Sequence, residues 1–87
     1  MTTKTLTAPT VNLGGTARTE LMDRLTEADD ALRAAIAAIQ ATAPNGRDYH
    51  PQGPGVIVQA TREHRDRLTR IQSVLDEIRQ LAESVAG

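Results

Sequence analysis

The side chains able to do chemistry are concentrated in one short run, Pro44-Asn45-Gly46-Arg47-Asp48-Tyr49-His50-Pro51-Gln52-Gly53-Pro54. It holds the single tyrosine, which is the only aromatic residue, together with one of the 2 histidines and three of the 4 prolines. A reversal between two helices needs roughly two to five residues; this one spends about ten, at the upper end of such connections. Downstream, Arg62, Arg65, Arg67 and Arg70 are set against Glu63 and Asp66. Planar guanidinium groups bind phosphate bidentately, and a tyrosine ring can stack on a base. Arg47, Tyr49, His50, Arg62 and Arg65 are therefore candidate contacts for a small anionic, nucleotide-like ligand. Asn12 and Thr16, from the segment before the first helix, could add hydrogen bonds to a ribose or a base edge. The competing reading is architectural: Arg47 and Asp48 pair to brace the loop, and Tyr49 buries its ring against the helix ends.

Other chemistries lack their parts. His64 lies on an apolar seam and reads as a core histidine satisfied by a buried hydrogen bond or by water at the loop end; the sharper reading is a ligand contact or pH-sensitive joint, since imidazole titrates near neutrality. No carboxylate stands at ligand spacing from both histidines, so no metal site is expected. Asp29 and Asp30 are adjacent and point to different sides of a helix, with Glu27 two residues before them. They read as a solvated face rather than a paired acid and base. Ser73 and Ser84 have no activating base in view, and no phosphate-binding glycine loop or dinucleotide fingerprint is present. The expectation is a protein that is not an enzyme and needs no cofactor.

Bulk properties narrow the classes further. The chain has 87 residues, a formal net charge of −1, and no Cys, Trp or Phe. Disulfides and thiolate chemistry are excluded. The core must be aliphatic, and a domain of this size is only marginally stable by itself. The charge balance argues against general nucleic-acid binding, which needs a large basic surface. No apolar run approaches the ~20 residues of a membrane span, and Met1-Thr2-Thr3-Lys4-Thr5-Leu6-Thr7 does not resemble a signal peptide. A cytoplasmic location is expected, without membrane partners.

These residues must be positioned by helices. Residues 1–10, rich in Thr, are expected to be a flexible, extended or disordered arm, and residues 11–87 a single domain. Thr16 is the expected N-cap of a first helix over 17–43. There Leu21, Leu25, Ala28, Leu32, Ala35, Ile39 and Thr42 alternate in steps of four and three, the seam of a helix packed along another. Pro44 stops it, and Asn45-Gly46 is expected to make a left-handed exit. A second helix is expected from Pro54, with the seam Ile57, Thr61, His64, Leu68, Ile71, Leu75, Ile78, Ala82 and Val85. The fold class is all-α: two long antiparallel helices forming an αα-hairpin. One seam rarely outweighs the ordering entropy of two helices. The extra rows, Met22, Ile36 and Ala43 on one helix and Val74 and Leu81 on the other, are read as a second interface. It would join copies into a homo-oligomeric helical bundle.

The segments Val11-Asn12-Leu13-Gly14-Gly15-Thr16, Ala43-Pro44-Asn45-Gly46-Arg47-Asp48-Tyr49-His50-Pro51-Gln52-Gly53 and Glu63-His64-Arg65 together resemble a group of small uncharacterised phage and prophage proteins. In these a Leu-Asn-Gly-Thr segment precedes a first helix, and a loop reading PNGRDYYPQG joins it to a second. The resemblance runs from Val11 onward. This chain departs from the pattern with Gly14 in place of the Asn, although Asn12 lies nearby, and with His50 in place of the second Tyr. By size and helical character alone, the chain is also similar to small phage proteins that sequester nucleotide immune signals in Arg-, Tyr-, Thr- and Asn-lined pockets between subunits.

The leading functional expectation is thus a non-enzymatic oligomeric binding protein. It would be a phage anti-defence sponge, acting in the host bacterial cytoplasm, for a cyclic oligonucleotide or a cyclic ADP-ribose isomer. The alternative is a structural protein–protein interaction module with no small-molecule ligand, its loop a rigid connector.

Overall fold

A computed structural model describes residues 6–10 and 15–87. Its described residues contain helices and turns and no strand. The chain runs through α1 (Gly15–Gln40), a short α2 (Gly46–Tyr49), a 3-10 turn (His50–Gln52) and α3 (Val56–Ala86). Residues 6–10 have no regular structure, and Leu6 among them is half-buried.

The heptad spacing predicts the inward sides well. Leu21, Leu25, Ala28, Leu32, Ala35 and Ile39 are all buried or half-buried, while their neighbours are mostly exposed. On α3 every seam residue from Ile57 to Val85 is buried or half-buried. The reason is mechanical: steps of four and three hold one stripe of a 3.6-residue helix against a straight neighbour. Only the end of the first seam differs, because α1 stops at Gln40 and Thr42 lies exposed beyond it.

The two long helices pack along one another, and their residues meet in opposite order. Leu25 shares a groove with Ile78 and Ala82, and Ile36 and Gln40 share one with Leu68 and Gln72. Leu25, Ala60, Leu75 and Val85 are the buried apolar residues among those described, and no large side chain is sealed completely. The molecule measures 61 × 26 × 12 Å, with a radius of gyration of 18.3 Å. A compact domain of this length has a radius of gyration of about 12 Å. The protein is a slab one helix thick.

Several local expectations are corrected. The first helix begins at Gly15, so Thr16 lies inside its first turn rather than at the cap. Gly46 does not turn left-handed. Asn45 takes an extended conformation (φ −106°, ψ 125°) and caps a new helix, its side-chain oxygen accepting the Arg47 N–H at 2.9 Å. An Asn before Gly can end one helix or begin the next, and Pro44 has already ended the first. The connection is longer than the expected ten or so residues, and its middle, from Gly46 to Gln52, is helical. Its left-handed residue is Gly53 (φ 106°), just before α3. Finally, Ile36 and Val74 belong to opposite broad sides of the slab. Ile36 lines a groove with Leu68 and Gln72, whereas Val74 lines one with Leu32, Ile39 and Ile71. The two extra apolar rows therefore do not form one shared interface.

Candidate functional site

Arg47, Asp48 and His50 are exposed, and Tyr49 is half-buried. Asn45 and the short helix it caps hold them in place. The Asp48 N–H donates to the Asn45 carbonyl at 2.9 Å, and the Gly53 N–H donates to the His50 carbonyl at 3.3 Å. Arg47 and Asp48 form no ion pair, so the brace expected of them is supplied by Asn45 instead. α2 packs on α3. From the Gly55 cap, Arg62 and Arg65 stand about 10 and 15 Å along the α3 axis. Both are exposed, and as i and i+3 they are neighbours on the helix surface. Arg62 lies in an outward band with Gln59, Glu63, Asp66, Arg67 and Arg70.

The structure thus brings Arg47, Tyr49, His50, Arg62 and Arg65 to one end of the molecule. It separates Thr16 from them. Thr16 and Gln40 are 24 residues apart within α1 (40 − 16), about 36 Å along the helix. Asn12 lies outside the described residues.

The arginines divide by commitment. Arg24 pairs with Glu27 at 3.5 Å, Arg70 with Asp66 at 3.0 Å, and Arg79 with Asp29 at 2.8 Å. Arg33 pairs with Asp29 at 2.8 Å and also with Asp30. Arg18, Arg47, Arg62, Arg65 and Arg67 form no ion pair among the described residues. Arg18 stands near the start of α1, whereas the other four cluster toward the α2 end, which leaves that end cationic on a chain of net charge −1.

Two residues turn out differently from the sequence reading. Asp29 was expected on a solvated face with Asp30, yet it bridges the two long helices. Its carboxylate accepts from Arg79 on α3 and Arg33 on α1. The hydrogen bond from Arg79, followed by that from Arg33, holds the Asp29 pKa below its ordinary value against the opposing effect of burial. The i, i+4 spacing of Asp29 and Arg33 was legible; Arg79, fifty positions away, was not. His64 is buried, 6 % exposed, and its Nδ1 makes no hydrogen bond among the described residues. The buried hydrogen bond expected of it is absent at that nitrogen.

Among the described residues no group of three metal-ligating side chains is gathered that could hold an ion. No helix there is long and apolar enough to cross a membrane. No protein-family model, curated protein or solved structure matches the chain.

Proposed function

We propose that this chain is a non-enzymatic αα-hairpin that self-associates and captures a small nucleotide-type anion at its α2 end, in the manner of a phage counter-defence sponge. The observation that carries the reading is that four of the five arginines left without carboxylates lie toward the α2 end. Arg47, Arg62, Arg65 and Arg67 are concentrated where the only aromatic ring is also held half-exposed. Elsewhere on α1 and α3, Arg24, Arg33, Arg70 and Arg79 are paired with carboxylates and Arg18 alone is not, so most of the uncommitted arginines lie at this end. Guanidinium groups supply phosphate contacts and Tyr49 supplies a stacking surface. His50 adds a second hydrogen-bonding ring on the same short segment. Thr16 takes part only if it comes from a second copy, because its own α2 end lies a full helix length away.

The test is thermal melting against cyclic dinucleotides, cyclic trinucleotides and cyclic ADP-ribose isomers. A ligand that binds only the folded state adds about 2.7 kcal/mol at a hundred times its Kd. In a domain of this size that raises Tm by about 10–20 °C. One ligand should produce that shift, and Arg47→Ala and Tyr49→Ala should each weaken it at least tenfold in apparent affinity. A flat response across the panel from folded protein sinks the reading. It would leave the interaction module, which the slab's exposed aliphatic side favours, as the better account.

A further inference from the structure

The formal charges divide along the length of the molecule. Residues 34–46 carry no ionisable side chain and separate Arg33 from the loop. Because the long helices run in opposite directions, Asp29 meets Arg79, and Leu25 lies beside Ile78 and Ala82. The part of α1 before Ala34 therefore lies along the last turns of α3. That end, residues 15–33 and 75–87, holds four arginines against eight carboxylates, a net charge of −4. The α2 end, residues 34–74, holds five arginines against three carboxylates, a net charge of +2. With Lys4 these make up the −1 of the whole chain. Ion pairing leaves the totals unchanged, since each pair contributes zero.

The change of sign is abrupt. On α3 the last arginine of the cationic end, Arg70, and the first carboxylate of the acidic end, Asp76, are six residues apart, about 9 Å along the axis. That is close to one Debye length at 0.1 M salt, about 10 Å. The acidic end therefore acts on any charge that extends past Arg70. Arg62, Thr69, Asp76 and Glu83 recur every seven positions, so they share one stripe of α3, and all four are exposed. The stripe begins on a cation and ends on two carboxylates.

These distances set a size limit. From the Gly55 cap to Arg70 the cationic stretch of α3 runs about 22 Å, whereas the molecule is 61 Å long. A nucleic-acid duplex carries one charge about every 1.7 Å, and one laid along the slab crosses the acidic end. A single strand that follows the stripe crosses it too.

We infer that the α2 end is selective for short anions, with a few phosphates within about 20 Å, and that the acidic end rejects long polyanions. Asp76 and Glu83 act by repulsion, the half of specificity that comes from penalising the wrong partner. The inference rests on the anion capture in the proposed function and adds the size class of the anion and the residues that set it.

The probes are inorganic tripolyphosphate and single-stranded thymidine oligonucleotides four and twenty residues long, titrated over a range of salt. For single strands log K falls with log salt by about 0.7 per phosphate neutralised, so the slope counts contacts whatever the strand length. On the unmodified chain the longer strand should show the same slope as the shorter one. Asp76→Lys combined with Glu83→Lys reverses the acidic part of the stripe and leaves every arginine in place. It should steepen the slope of the longer strand by about 0.7–1.4, one or two phosphates, and raise its affinity at least tenfold. Tripolyphosphate affinity should change less than threefold. The neutral pair Asp76→Asn and Glu83→Gln should shift the longer strand in the same direction, by less. A longer strand whose slope is already steeper on the unmodified chain, or is unmoved by both pairs of substitutions, overturns the size limit and leaves anion capture standing. Failure of tripolyphosphate and of both strands to bind removes the capture itself, and the size limit with it.

Discussion

Asp29 and His64 show how a single residue can be misjudged from its neighbours in sequence. Asp29 has an acidic neighbour and an arginine four residues on, which is the pattern of a solvated helix face. Its second arginine arrives only with the fold. Because its folded pKa is lowered, the stability it contributes is present above its unfolded pKa of about 3.9. That stability is lost as pH falls through the folded value. Asp29→Asn is therefore expected to lower Tm at neutral pH and to flatten the fall of Tm with pH below about 4, as read by melting from pH 7 to pH 2. His64 poses the opposite case, a polar atom in the seam without a partner among the described residues. An unsatisfied buried polar group costs about 1–3 kcal/mol. His64→Leu, which keeps the seam apolar, should raise Tm by several degrees; a lower Tm would mean that the imidazole makes a bond that the leucine cannot replace.

At the scale of elements, the seam of α3 carries the packing. Leu75 is 2 % exposed and is the most buried of the core leucines. Leu75→Ala should cost about 2–5 kcal/mol, a large part of the roughly 5 kcal/mol available to a small domain. Loss of the cooperative melting transition, or a Tm lower by more than about 10 °C, is the expected readout. The connection between α1 and α3 depends on a different residue. Gly53 sits at φ 106° and ψ 162°, where an added Cβ would touch nothing. Any cost of Gly53→Ala is therefore backbone strain, about 1–3 kcal/mol, and a substitution with unchanged stability would show that the turn can be rebuilt. The surface pairs Arg24–Glu27 and Arg70–Asp66 are expected to contribute little, because both are largely exposed.

For the whole molecule, the slab shape is the dominant fact. A layer one helix thick buries one seam, and the four buried apolar residues among those described make a small core. Stability should then depend on association. Tm is expected to rise with protein concentration, as it does for folded states linked to assembly; a Tm constant over a hundredfold range of concentration would mark a self-sufficient monomer. The same shape governs the candidate site. Arg47, Tyr49, His50, Arg62 and Arg65 share one end, whereas Thr16 lies at the other, so a pocket containing all six needs more than one copy.

By itself the sequence determined the helical class, the inward stripe of each long helix and the break at Pro44, because these follow from local periodicity and backbone geometry. It also marked Arg47, Tyr49, Arg62 and Arg65, since residue type and nearness in the chain suffice to place them at one end. The tertiary structure alone decided the rest. It paired Asp29 with Arg79, left His64 Nδ1 without a partner among the described residues, and put Ile36 and Val74 on opposite sides. Each of these depends on which helix lies beside which and at what rotation. That is set by the summed packing of two distant segments, and no spacing within either one encodes it.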